Sequence, residues 1–144
     1  MEKDTAELVK QLRISPDFQR FYHENKDYMV DKTLAQLLEQ LLKTTGITKA
    51  KAIKNAEMSE IYGYHIFAGT RIPERGKVLA LAIGMGLDLE QIQQLLKAAG
   101  YSTLYVKRPF DSVVLYGIVK HMSVAQINEL LYDYGMETLG QSTL

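Results

Sequence analysis

Apolar residues along this chain recur at spacings of three and four, the period of an α-helix with one buried face. The clearest stripe precedes Gly46 and consists of Leu34, Leu37, Leu38, Leu41 and Leu42. A helix with such a stripe packs into a core, and a glycine is a common residue at its end. No segment alternates apolar and polar residues for more than a few positions, so we expect no strands. The pattern predicts an all-α fold.

Residues that favour helix N-termini stand in front of several of these segments. Thr48 caps a short helix predicted to run through Ala56, and Ser59 caps the next, predicted to run through Ala68. Near the N-terminus, Ser15 is followed by a proline, a combination typical of a helix start. The hydroxyl-bearing residues therefore divide the chain into short helices separated by tight turns.

An internal repeat organises the second half of the chain. Residues 76–104 align with residues 111–139 at a constant offset of 35, with nine identities in 29 positions. Each copy predicts a helix, a short turn, a cap at Asp88 or Ser123, a second helix, and a glycine stop. We interpret this as a duplicated helical hairpin whose second copy extends the core of the first. Tyrosines of this half are expected in the core and at its rim, with a surface for a protein partner as the alternative, namely Tyr101, Tyr105, Tyr116, Tyr132 and Tyr134.

Composition narrows the class of protein further. The chain has 144 residues, 47% of them hydrophobic, and no cysteine, which excludes disulfide scaffolds, thiolate zinc sites and cysteine nucleophiles. It shows no run of 18 apolar residues and no apolar leader, so we expect a soluble, cytoplasmic protein without a membrane partner. The three histidines are scattered and no catalytic set of side chains stands out. We therefore expect no enzyme, no metal and no cofactor.

Charge is balanced overall but not locally. Seven basic against three acidic side chains lie in residues 43–77, whereas the segments on either side carry a small acidic excess. A basic segment of this kind is where phosphate contacts would be found, although a solvated helix face has the same composition.

Five motifs within residues 34–87 make the chain resemble the lambda-repressor-like helix-turn-helix family, the Cro/repressor or xenobiotic-response-element group of transcriptional regulators. They are LAQLL at 34–38, TKAKAI at 48–53, MS at 58–59, GTRIP at 69–73 and VLALAIGMGL at 78–87. The resemblance implies a helix-turn-helix core over residues 32–100. It leaves an N-terminal helical extension over residues 1–31 and a C-terminal helical hairpin over residues 101–144, packed on that core.

The resemblance also implies a function. Such proteins bind double-stranded DNA sequence-specifically, as homodimers, with the second helix of the motif in the major groove. The implied nucleic-acid-binding residues are Lys49, Ser59, Glu60, Ile61, Tyr64, His65 and Arg71. Lys49 would hold a phosphate, while base edges would be met by Ser59, Glu60, Ile61 and His65. The alternative is an adaptor that keeps the fold but binds another protein, which the zero net charge also permits.

Two residues depart from the family pattern. Glu57 stands in the turn where the family usually has glycine, and Gly63 stands in the middle of the proposed recognition helix, where a leucine usually packs. A glycine inside a helix costs about 1 kcal/mol relative to alanine, and a non-glycine residue in a left-handed turn carries a comparable cost.

Overall fold

The computed structural model describes residues 4–28 and 33–140. Within these ranges the chain forms nine α-helices, one short 3-10 helix and no strand, which confirms the predicted all-α fold. Two compact units are present, Met1–Asp31 and Lys32–Leu144. None of the helices in the described ranges combines the length and apolar character needed to span a lipid bilayer.

The first unit is a pair of short helices followed by a 3-10 turn: α1 (Thr5–Ile14), α2 (Phe18–Asn25) and Lys26–Tyr28. Asp17 caps α2, because its Oδ1 accepts a hydrogen bond from the N–H of Arg20 at 2.7 Å. Ser15 instead ends α1, where its N–H donates to the carbonyl of Gln11 at 3.0 Å. The prediction that Ser15 begins the second helix is therefore wrong. The residue that precedes the first helical position makes the cap, and that residue is Asp17.

The second unit contains the remaining helices. They are α3 (Leu34–Thr45), α4 (Lys49–Asn55), α5 (Glu60–Ala68), α6 (Arg75–Gly84), α7 (Leu89–Ala98), α8 (Pro109–Val119) and α9 (Val124–Asp133). The leucine stripe of α3 faces inward as predicted, with Leu38, Leu41 and Leu42 buried. The helices predicted behind Thr48 and Ser59 are α4 and α5.

Three helix pairs in this unit, α4–α5, α6–α7 and α8–α9, are joined by turns of the same design. Each turn has a residue in the left-handed region of the backbone, Glu57 (φ 61°), Gly86 (φ 76°) or His121 (φ 56°). One apolar residue follows in each, and then the residue that caps the next helix, which is Ser59, Asp88 or Ser123. The duplicated hairpin is thus matched by a third helix pair that the sequence comparison did not detect.

The predicted repeat is confirmed by its hydrogen bonds. Asp88 and Ser123 each form a reciprocal capping box with the glutamine three residues later. The side chain of Gln93 both accepts from the N–H and donates to the carbonyl of Leu104, and Asn128 does the same with Leu139. Both pairs are related by the offset of 35. The second copy also extends the core, because Val114, Ile127 and Leu131 are fully buried in the cluster that the preceding helices form.

A largely buried ion pair links the start of α6 to α8. The guanidinium of Arg75, at the start of α6, contacts both carboxylate oxygens of Asp111 in α8 at 2.8 and 3.0 Å. Arg75 also donates to the carbonyls of Ser102 and Thr103 in the connecting segment. Burial alone would raise the pKa of Asp111, but hydrogen bonds from Arg75 and from the N–H of Tyr105 outweigh it and hold that pKa below its ordinary value.

The tyrosines of the repeat mostly lie outside the core. Tyr105, Tyr116, Tyr132 and Tyr134 are exposed by half or more of their surface, so the part of the expectation that placed tyrosines in the core is wrong for these four. Tyr101 is partly buried, and its hydroxyl donates to the carbonyl of Pro73 at 2.7 Å. Leucine, isoleucine and valine already fill the space between the helices, which leaves the larger rings at the surface.

Candidate nucleic-acid interface

The turn between α4 and α5 is bent at Glu57. Its backbone is left-handed, the conformation that glycine adopts at the lowest cost. Thr48 Oγ1 accepts from the N–H of Lys51 at 3.2 Å to begin α4, and Ser59 Oγ accepts from the N–H of Tyr62 at 3.2 Å to begin α5. The turn therefore keeps the shape that a glycine would favour, even though position 57 is a glutamate.

The two faces of α5 differ as the helical spacing predicts. Gly63, Ile66 and Phe67 are buried against the rest of the unit. The opposite face is exposed and consists of Glu60, Ile61, Tyr64, His65 and Ala68. One helix face thus presents four of the residues that the sequence assigned to DNA, while Ser59 caps the same helix.

Gly63 is explained by the packing of α5 on α4. A Cβ atom at position 63 would lie 2.5–2.7 Å from three side-chain carbons of Ile53, which is itself buried in α4. No larger residue fits between the two helices at this distance. Glycine at position 63 destabilises α5 as a helix but allows α4 and α5 to cross closely. This close crossing fixes where α5 lies relative to α4.

Lys49 has partners inside the protein. Its ammonium pairs with the carboxylate of Glu39 in α3 at 2.5 Å and lies 5.7 Å from the centre of the Phe67 ring. The Lys49 side chain is about two-fifths exposed. An incoming phosphate would therefore have to compete with Glu39 for this lysine.

The ring of Tyr62 contacts two of the basic residues that follow α5, an arrangement that the sequence did not predict. The Arg71 guanidinium lies 5.2 Å from the centre of the Tyr62 ring, and the Lys77 ammonium lies 4.8 Å from it. Burial raises the pKa of the Tyr62 phenol, while the positive charge of Arg71 opposes the increase. Burial likewise lowers the pKa of Lys77, whose ammonium donates to the carbonyl of Gly140. Arg71 and Lys77 follow Tyr62 by 9 and 15 residues, and no short motif links the three positions. Their contact could therefore not be predicted from the sequence.

The basic segment at residues 43–77 is divided by the fold. Arg75 is committed to the ion pair with Asp111, and Lys77 is buried. Four of the basic side chains are exposed, namely Lys43, Lys51, Lys54 and Arg71. The number of cations that face solvent is therefore smaller than the sequence count indicated.

His65 and Thr70 are joined across the end of α5. Gly69 ends the helix in the left-handed conformation (φ 78°), which brings Thr70 back over the last turn. His65 Nδ1 then lies 2.9 Å from Thr70 Oγ1, and Thr70 Oγ1 donates to the carbonyl of His65 at 3.3 Å. The imidazole is exposed but held in one orientation.

Apolar side chains share this surface. Ile61 is 75% exposed and Ile72 is 86% exposed, and Tyr64 is 40% exposed. Ile72 was not among the residues singled out from the sequence, because an isoleucine between Arg71 and Pro73 gives no periodic signal. The surface around α5 thus combines apolar contacts, an acceptor carboxylate at Glu60 and a fixed imidazole.

Comparison of the chain with protein-family models, curated proteins and solved structures finds no match.

Proposed function

We propose that the protein binds double-stranded DNA sequence-specifically, with α5 in the major groove, and regulates transcription. The exposed face of α5 supports this proposal most, because it is a continuous surface on one helix. The close contact between Gly63 and Ile53 on the opposite face holds that helix in place. A major groove about 12 Å wide admits one α-helix, and side chains on the inserted face meet the base edges.

The side chains of this face have chemistry that base pairs can match. The carboxylate of Glu60 can accept from cytosine N4, and the methyl groups of Ile61 can contact a thymine methyl. Lys51, Lys54 and Arg71 are exposed and can contact phosphates on either side of the groove. Two copies of the chain would then bind half-sites about 34 Å apart, one turn of the duplex.

A salt titration of binding to a mixed-sequence duplex tests the proposal. We expect log K to fall linearly with log salt, because bound cations are released when lysines replace them at phosphates. Lys51→Gln should weaken binding on all sequences and reduce the slope by about 1. Lys97→Gln on α7 is the matched control, since it removes the same charge from an exposed lysine outside α4 and α5. Equal losses in the two variants would contradict a specific role for this surface.

The exposed isoleucines favour a second candidate, an adaptor that docks a protein partner on the same surface. Ile61 and Ile72 are exposed apolar side chains that phosphate contacts do not use, whereas a protein partner could cover them. Binding through such a surface would be weakened by Ile72→Ser and would change little with salt. Absence of DNA binding at low salt, for dimer and monomer alike, would overturn the DNA proposal and leave this one.

A further inference from the structure

The contact between His65 and Thr70 restricts where the imidazole carries its proton. The Thr70 hydroxyl has one hydrogen, and it donates that hydrogen to the carbonyl of His65 at 3.3 Å. Thr70 Oγ1 also lies 2.9 Å from His65 Nδ1. Both contacts are hydrogen bonds at once only if Nδ1 carries a proton and donates it to the hydroxyl oxygen.

The surrounding backbone favours the same arrangement. His65 lies in the last turn of α5, where the carbonyl groups give the helix its negative end. The N–H groups of Gly69 and Thr70 bond the carbonyls of that turn and keep Thr70 in place. An N–H at Nδ1 pointing toward this helix end is electrostatically favourable, whereas a lone pair there is not.

We propose that Thr70 is a positioning residue that holds His65 in the Nδ1–H tautomer, so that Nε2 is a hydrogen-bond acceptor on the exposed face of α5. Resting on the DNA-binding function proposed above, this assigns His65 a class of base. An acceptor at Nε2 pairs with the exocyclic amino groups of adenine N6 or cytosine N4 in the major groove. It is repelled by the acceptors N7 and O6 of guanine and O4 of thymine. His65 therefore selects adenine or cytosine over guanine or thymine at one position of one strand.

The tautomer is tested without DNA. Long-range ¹H–¹⁵N spectra of the full chain at about pH 8 distinguish Nδ1–H from Nε2–H rings. His65→Gln assigns the signal among His23, His65 and His121. We expect the Nδ1–H pattern for His65 in the wild type and in Thr70→Ser, which keeps the hydroxyl. Thr70→Val has the same shape without the hydroxyl, and we expect it to shift His65 toward the Nε2–H form. An Nε2–H ring in the wild type, or no change in Thr70→Val, would overturn the proposal.

The base class is tested by selecting bound sites from a random duplex pool with the same variants. We expect one position to be enriched in adenine or cytosine for the wild type and Thr70→Ser. In Thr70→Val that preference should fall by about tenfold, the usual size of a single-base discrimination. A Thr70→Val pool identical to the wild-type pool, or guanine or thymine at the position lost in His65→Ala, would refute the assignment. Failure of every protein to bind at low salt would instead refute the DNA function and the base assignment with it, whatever tautomer the spectra show.

Discussion

Replacing Gly63 by alanine tests the idea that close packing against α4 sets the position of α5. In an unconstrained helix this substitution stabilises the protein by about 1 kcal/mol, because glycine is the more flexible residue. Here the added Cβ would lie 2.5, 2.6 and 2.7 Å from Cγ1, Cγ2 and Cδ1 of Ile53. Ile53 is 2% exposed, and its branched side chain has few alternative rotamers. Overpacking of this kind costs about 1–3 kcal/mol, so we expect Gly63→Ala to destabilise the second unit.

A double-mutant cycle isolates the contact. Ile53→Ala by itself leaves a cavity and should cost about 2–5 kcal/mol. In the Ile53→Ala background the clash is removed. Gly63→Ala should then stabilise the protein by about 1 kcal/mol, because alanine has the higher helix propensity. The coupling between the two sites should therefore be about 2 kcal/mol or more, within the range found for residues in contact.

The assay is urea unfolding followed by far-ultraviolet circular dichroism. Gly76→Ala is the matched control, because a Cβ at Gly76 meets its nearest atom, the N of Gly140, at 3.8 Å, an ordinary contact. We expect no loss of stability there. If Gly63→Ala raises the free energy of unfolding in the wild-type background, or if the cycle shows no coupling, the packing explanation of Gly63 is wrong.

Two further predictions concern the ion pair and the turns. Asp111 has a lowered pKa in the folded protein. Its ionised form therefore stabilises the fold fully above the ordinary carboxyl pKa of about 4, and this stabilisation is lost as the pH falls through the lower pKa of the folded state. Asp111→Asn should cost about 3 kcal/mol at neutral pH by leaving Arg75 without its charge partner, and its difference from wild type in urea unfolding should shrink below about pH 4. A difference that stays constant in acid would refute this. Glu57→Gly and His121→Gly should each raise the free energy of unfolding by about 1 kcal/mol, because both residues are left-handed. Gly86→Ala should lower it by a similar amount, and three unchanged midpoints would show that these turns carry no such cost.

The helix ends, the buried helix faces and the repeat could be predicted from the sequence alone. Thr48 and Ser59 mark helix starts because a hydroxyl satisfies backbone N–H groups a few residues away, and Gly69 marks a stop because it tolerates a left-handed backbone. The leucine stripe of α3 and the faces of α5 follow from helical periodicity. The repeat was visible because its two copies share caps, stops and core positions at one offset. All of these depend on residues within a few positions of one another, or on a spacing that a single sequence displays.

The tertiary structure decided what depends on contacts between distant segments. Gly63 is a cost in α5 by itself and becomes necessary only because Ile53 lies against it. Arg75 and Lys77 belong to the basic segment in sequence, yet the fold withdraws them from the surface, because Asp111 and Tyr62 reach them from other elements. A sequence specifies short-range hydrogen bonds directly, whereas long-range packing determines which polar side chains remain available to a ligand.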